Sequence, residues 1–287
     1  MESQKKYPKA FSFEFFPPRT EAGRGKLRAA SRELTRVDPR YFSVTFGAGG
    51  STRTRTVETV AELMNDTGVR AVPHLSCIGA TEDNVRQLLH HYRKMGVRQI
   101  VALRGDIPSG MVSLGEFHHA NELVEFIRRE TGDHFEIEVA AYPEYHPQAP
   151  TPEEDLDNFV RKVRAGASSA ITQYFFNPDA YFHFVDEVER RGLDVAIVPG
   201  VMPIINYRQL ARFSDACGAE IPRWIRRRLE SFGDDQESLL AFGHDVVRDL
   251  CQRLLDAGAP GLHFYTLNRA EPSLAVWRDL DLPANAA

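Results

Sequence analysis

The chain has 287 residues, 43% of them hydrophobic, enough to bury a full-sized core in one large α/β domain or two ordinary ones, which excludes a disordered protein. Its formal charge of -5 offers no basic face for nucleic acid or an anionic membrane, although local cationic pockets for small anions stay open. The three cysteines, Cys77, Cys217 and Cys251, are far apart and form no CxxC, which argues against a disulfide framework or structural zinc and for a reducing, cytoplasmic setting.

The opening stretch MESQKKYPKA has charge but no apolar stretch before a cleavage site, and no later apolar run approaches the roughly 18 residues of a membrane span. Runs rich in β-branched and aromatic residues then follow in order: Phe11 to Phe16, Tyr41 to Phe46, Arg70 to Leu75, Gln99 to Arg104, Glu136 to Tyr142, Ala170 to Phe175, Asp194 to Pro199 and Leu262 to Thr266. They read as about eight strands. Amphipathic stretches lie between them, as from Thr81 to Met95, where Val85, Leu88, Leu89 and Tyr92 recur at helical spacing.

Thr151 before Pro152, with Glu154 three residues on, reads as a capped helix start, and Asn177 before Pro178 as another. Glycines such as Gly96 and Gly192 close helices just before the next strand. The segment 206–256 is too long for one helix and is expected to hold two or three. No linker divides the chain, so one domain over 1–287 is expected, with its core at about 10–278 and a frayed tail at 280–287. Repeated βα units predict a (β/α)8 TIM barrel, with a doubly wound open sheet as the alternative.

In such a barrel chemistry sits at the carboxyl ends of the strands, and polar residues collect there. They are Glu14, Thr45 with GAGGS, His74, Arg104 with Gly105 and Asp106, Tyr142 and His146, Gln173, Pro199 with Gly200, and Asn268 with Arg269. Glu14 stands among Phe11, Phe13, Phe15 and Phe16. It is either a solvated outward residue or an acid whose pKa rises in a low-polarity setting until it can donate a proton near neutrality. His74 is open between a core histidine and a working one.

GAGGST lets the backbone approach a ligand closely but is not the dinucleotide fingerprint, since Thr52 takes the third glycine position. Arg104, Gly105 and Asp106 could grip polar ring edges or form a structural ion pair. Asn158, Arg161 and Lys162 share a helical face, either a ledge for phosphate or a solvated surface. The pairs His90-His91 and His118-His119 do not share faces and read as surface histidines; GxSxG and GxxxxGK[ST] are absent.

Taken together, SFEFFPPR, VTFGAGGS, PHLSC, IVALRGD, AAYPEYHP, AITQYFF, IVPGVMPI and HFYTLNRAE resemble the 5,10-methylenetetrahydrofolate reductase family in its short bacterial form, from about Phe11 to Glu271. No segment matches the regulatory domain that follows the barrel in eukaryotic relatives. The resemblance implies a barrel holding FAD non-covalently, reduced by NADH or NADPH, which leaves before the folate enters the same face in a ping-pong cycle. The family commonly forms homo-oligomers and feeds methionine synthesis.

By the same resemblance Glu14 is the general acid and Asp106 a catalytic aspartate beside flavin and pterin. Thr45, Gln173, Gln209, Phe213 and Arg269 contact substrate. Phe46, Ala48, His74, Arg104, Gly105, Asp106, Ala120, Tyr142, His146, Ala149, Asp155, Asn158, Arg161 and Lys162 hold FAD. Phe46 and His119 depart from the tyrosines of some relatives. Other classes that fit a barrel are a flavin-linked amine or proline dehydrogenase, which would not need Glu14, and a non-catalytic binding barrel.

Overall fold

Strand-forming and helix-forming segments alternate along the backbone as the pattern predicts. The computed structural model describes residues 1–46, 50–105 and 115–283, with backbone only for 50–52. Its strands are β1 (Ala10–Phe15), β2 (Tyr41–Val44), β3 (Ala71–Ser76), β4 (Gln99–Leu103), β5 (Glu136–Ala141), β6 (Ser169–Thr172), β7 (Ala196–Val198), β8 (Gly200–Val201) and β9 (Gly261–Tyr265). All neighbours pair in parallel in the order β7-β6-β5-β4-β3-β2-β1-β9-β8, a nearly closed TIM-like barrel.

Among the described residues nine strands stand where about eight are predicted, because the seventh run is cut at Pro199, which has no N–H to donate to a ladder. The half before it, β7, pairs with β6; the half after it, β8, pairs with β9. The Pro199 carbonyl still accepts from the His263 N–H at 3.0 Å. One interrupted strand therefore joins the two ends of the sheet.

The helices are α1 (Glu21–Leu34), α2 (Gly50–Thr67), α3 (Glu82–Lys94), α4 (Ala120–Thr131), α5 (Pro152–Arg164), α6 (Pro178–Arg190), α7 (Tyr207–Cys217), α8 (Arg223–Ser231), α9 (Gln236–Asp256) and α10 (Glu271–Asp279). Capping works as the sequence suggests: Thr151 Oγ1 accepts from the Glu154 N–H at 3.2 Å and Asn177 Oδ1 from the Asp179 N–H at 3.1 Å. The segment 206–256 holds α7, α8 and α9.

Side chains alternate across each strand, so β1 has two unlike faces. Phe11, Phe13 and Phe15 point outward and are fully buried under the helices. Phe11 meets Trp277 edge-on at 4.9 Å, Phe13 stacks on Phe264 at 5.3 Å, and Phe15 meets Phe42 edge-on at 5.3 Å. Each such ring contributes about 1.5–3 kcal/mol on burial. Ser12 and Glu14 face the barrel interior instead.

That interior is unusually polar. Tyr41 donates to Glu138 Oε2 at 2.7 Å, and Ser169 donates to Glu138 Oε1 at 3.1 Å. Tyr41 also packs with Val72, Val101 and Ile171 into a small apolar plug separate from the main core. Higher up, Tyr265 reaches across the seventh strand to donate to the Thr172 carbonyl at 2.8 Å. Gly200 makes this crossing possible: a Cβ there would lie 2.3 Å from Thr172 O and 2.7 Å from the Tyr265 ring.

Candidate active site

Glu14 lies near the carboxyl end of β1, pointing inward, its side chain 15% exposed. His263 Nε2 from β9 is 3.4 Å from Glu14 Oε2, and His74 Nε2 from β3 is 3.3 Å from the same oxygen. The His74 atom is buried and outside hydrogen-bonding geometry, leaving it without a hydrogen-bond partner among the described residues. On its other side His263 is hydrogen-bonded through Nδ1 to Ser12 Oγ at 2.7 Å, and Ser43 Oγ lies 3.5 Å from Nε2. The Glu14 backbone is pinned as well, its carbonyl accepting from Thr266 Oγ1 at 2.6 Å.

This geometry corrects the physical reason for singling out Glu14. Phe11, Phe13 and Phe15 are its neighbours in sequence but occupy the opposite face of the strand, and Phe16 is 46% exposed. Its actual neighbours are the His74 and His263 imidazoles, with the Tyr265 phenol close by. Burial pushes the carboxyl up, but the charge of His74 and the contacts from His263 and His74 outweigh it and hold Glu14 down at about 2. The group is therefore a carboxylate rather than a stored neutral acid.

A second wall runs from the end of β4 through the loop after β5 to the inner face of α5. Arg104 turns its guanidinium onto Gln148, and Gln148 N–H donates to His146 Nδ1 at 3.0 Å. The His146 N–H donates to Asp155 Oδ2 at 3.1 Å, the Ala149 N–H to the His146 carbonyl at 2.9 Å, and the Tyr142 and His146 rings meet edge-on at 4.7 Å. Gly105 takes φ +88 with its Cα so close to β3 that a Cβ would sit 2.0 Å from Ser76 Oγ.

On α5, Arg161 donates to Asn158 Oδ1 at 2.5 Å, and Lys162 donates to the Ala140 carbonyl at 2.5 Å. The Lys162 contact departs from the picture of a solvated helix face, because this side chain folds back over the top of β5. Burial pulls its ammonium down to about 8, with Asp155 opposing. Asp155 is itself raised, by burial first. Arg161 is the exposed member of the set.

Other predicted residues fall around the same mouth. Thr45 and Phe46 follow β2, half-buried, with the Thr45 N–H on the Phe15 carbonyl at 2.9 Å. Gln173 follows β6, its Oε1 accepting from the Tyr174 N–H at 3.0 Å. Gln209 and Phe213, one turn apart on α7, line a groove with Met202, Leu210 and Leu267, and Phe213 is 37% exposed. Arg269 is exposed after β9, and Ala120 opens α4. Ala48 and Asp106 lie outside the described residues.

Asn268 has a plainer role than the sequence suggests. Its amide accepts from the Phe16 N–H at 3.0 Å and donates to the Phe16 carbonyl at 2.9 Å, extending the strand pairing by one side chain. Nearby, Glu144 accepts from the Glu220 N–H at 2.8 Å, tying the loop after β5 to the segment after α7, and burial raises its carboxyl to about 7. Sequence reasoning passed over His263, Tyr265 and Ser12. The signal was present in GLHFY and FSFEF, where each polar residue alternates with an apolar one and so shares the face of Glu14.

The methylenetetrahydrofolate reductase family model matches residues 1–281. The chain belongs to the methylenetetrahydrofolate reductase family. It is 42% identical over 269 residues to 5,10-methylenetetrahydrofolate reductase of Escherichia coli strain K12, covering 94% of this chain and 90% of that one. To the enzyme of Pectobacterium carotovorum subsp. carotovorum it is 39% identical over 278 residues, 96% and 91% of the two chains.

Among solved structures, an uncharacterized protein from Clostridium thermocellum that binds two copies of 5-methyl-5,6,7,8-tetrahydrofolic acid aligns with TM-score 0.65 over 98% of this chain and 97% of that one. At 15% identity this likeness speaks for the fold alone. Membership of the reductase family rests on the family match and the bacterial relatives.

Proposed function

We propose that the chain reduces 5,10-methylenetetrahydrofolate to 5-methyltetrahydrofolate through bound FAD that NADH or NADPH reduces first, the two substrates using one face in turn. The observation that carries this reading is the inward carboxylate of Glu14, set between two imidazoles at the mouth of a barrel of this family.

The residues present suit FAD. Arg104, Arg161 and Lys162 supply cations for a pyrophosphate, Asn158 and Asp155 polar edges for a ribose, and the buried His74 Nε2, which makes no hydrogen bond among the described residues, a polar atom facing the interior. At Gly105 the backbone lies against β3 with no room for a side chain, since a Cβ would sit 2.0 Å from Ser76 Oγ and 3.0 Å from Ile78. When bound, FAD supplies the hydride for the one-carbon unit.

The remaining work falls to side chains. Hydride does not readily attack the neutral carbon between two folate nitrogens, so the five-membered ring must first be protonated at nitrogen and opened to an iminium. Glu14 is the donor, its inward carboxyl near the carboxyl end of β1 and 15% exposed. Phe213 and Gln209 hold the planar ligand from α7, Gln173 and Thr45 contact its polar edges, and Arg269 meets its anionic end. Asp106, outside the described residues, is assigned to this set by the family resemblance alone.

Purified protein provides the test. A yellow flavin spectrum, bleached by NADH or NADPH and restored by methylenetetrahydrofolate but not by proline, is the expected result. Restoration by proline would move the chain to the dehydrogenase class, and a protein that binds no flavin would remove the mechanism.

A further inference from the structure

The proposed reading needs a donor that carries a proton near neutral pH, yet the field around Glu14 favours its ionised form. The interior of the barrel reconciles the two. His263 is fully buried, 3.4 Å from Glu14 Oε2 by Nε2 and 2.7 Å from Ser12 Oγ by Nδ1. Its other neighbours are Ser43 at 3.5 Å and the ring of Tyr41, with centroids 6.2 Å apart. Glu14 also faces His74, and Tyr265 stands beside Glu14 and beside the His263 ring, 5.4 Å away centroid to centroid.

Resting on the folate-reductase reading, we propose that the acid is the Glu14–His263 pair: His263 holds the proton that Glu14 delivers to the folate ring nitrogen. The transfer balances without another reactant. The N–H bond at Nε2 of the imidazolium breaks as an O–H bond forms at Glu14 Oε2. That proton then passes to the ring nitrogen while the carbon–nitrogen bond opens, leaving carboxylate and neutral imidazole. Solvent restores one proton to the pair through the partly exposed carboxylate once the product leaves.

The physical advantage lies in coupled titration. A carboxyl and an imidazole in contact share their protons, so their titration belongs to the pair rather than to either residue. The pair can thus hold a proton where an isolated carboxylic acid would be empty. Ser12 fixes the ring so that Nε2, not Nδ1, faces the carboxylate. His263 acts here only through Glu14 and is a positioning and proton-holding residue.

Two measurements test this. In stopped-flow reoxidation of the reduced flavin by methylenetetrahydrofolate, His263→Gln is expected to be slower by about tenfold or more at pH 8. Its rate should recover as pH falls, with the alkaline limb displaced downward by about one pH unit or more, while bleaching by NADH checks that the fold and flavin site survive. Ser12→Ala should show a smaller shift in the same direction. A wild-type rate and profile in His263→Gln would overturn the proposal, whereas failure of wild-type protein to be reoxidised by the folate would overturn the parent reading instead.

The second measurement needs no turnover. In flavin-free protein labelled with 13C at glutamate carboxyls, the Glu14 resonance, assigned by its loss in Glu14→Gln, should remain ionised down toward pH 2. It should titrate about one unit or more higher in His263→Gln. An unshifted Glu14 titration in that variant would also overturn the pairing.

Discussion

The two faces of β1 are separated by one backbone and obey opposite rules. Outward, Phe11, Phe13 and Phe15 meet Trp277, Phe264 and Phe42 in a dry layer between sheet and helices, and their contribution is stability. Inward, Ser12 and Glu14 meet His263 and His74 in a polar interior, where the proposed mechanism has them hold and place a proton. Alternate residues of one strand can thus be tuned independently, because a strand sends successive side chains to different environments.

The largest effect that separates the faces is expected from Glu14→Gln. Folate-driven reoxidation of the flavin should fall by about 100-fold to 10,000-fold, the usual worth of general-acid assistance. Reduction by NADH should change little, whereas the melting temperature at neutral pH should fall, because a carboxylate held down at about 2 stabilises the fold. Rapid-mixing absorbance of each half-reaction checks this, and equal losses in both halves would break the comparison.

Phe13→Ala is the converse. A fully buried ring stacked on Phe264 leaves a cavity, so unfolding by urea should show a loss of about 3–5 kcal/mol. The alkaline limb of the folate half-reaction, measured well below the melting temperature, should stay at its wild-type pH. A displaced limb would mean that the outer layer sets the charge of the inner one.

A smaller effect sharpens the contrast at the rim of the mouth. Burial raises the Glu144 carboxyl from 4.5 to about 7, so the folded chain binds more protons than the unfolded chain in that interval. Stability is therefore fully present below about 4.5 and declines as pH rises through about 7. Allowing for solvent screening of a partly exposed group, the decline is about 1–2 kcal/mol. Melting curves between those limits should show it in wild type and not in Glu144→Gln.

Much of this plan was legible in the letters. Strand runs, helical spacing and capping residues such as Thr151 and Asn177 marked the βα repeats, because each signal is local and acts within a few residues of where it is read. Pro199 was visible as well, but its effect was not: whether a strand lacking one N–H ends or continues depends on its partners on both sides. Lys162 shows the same limit. Its place on a helical face was readable, whereas its return to the Ala140 carbonyl depends on how α5 lies over β5.

What the sequence by itself determined was the alternation of elements, the family to which the motifs point, and the presence of an acid at the end of the first strand. Only the tertiary structure decided what surrounds that acid. Phenylalanines adjacent in the chain lie on the far side of the backbone, while His74, 60 positions on, and His263, 249 positions on, close over it, because a rolled parallel sheet joins β1 directly to β9 and through β2 to β3. Chain adjacency governs local conformation, but the electrostatic setting of a side chain is governed by distance in space.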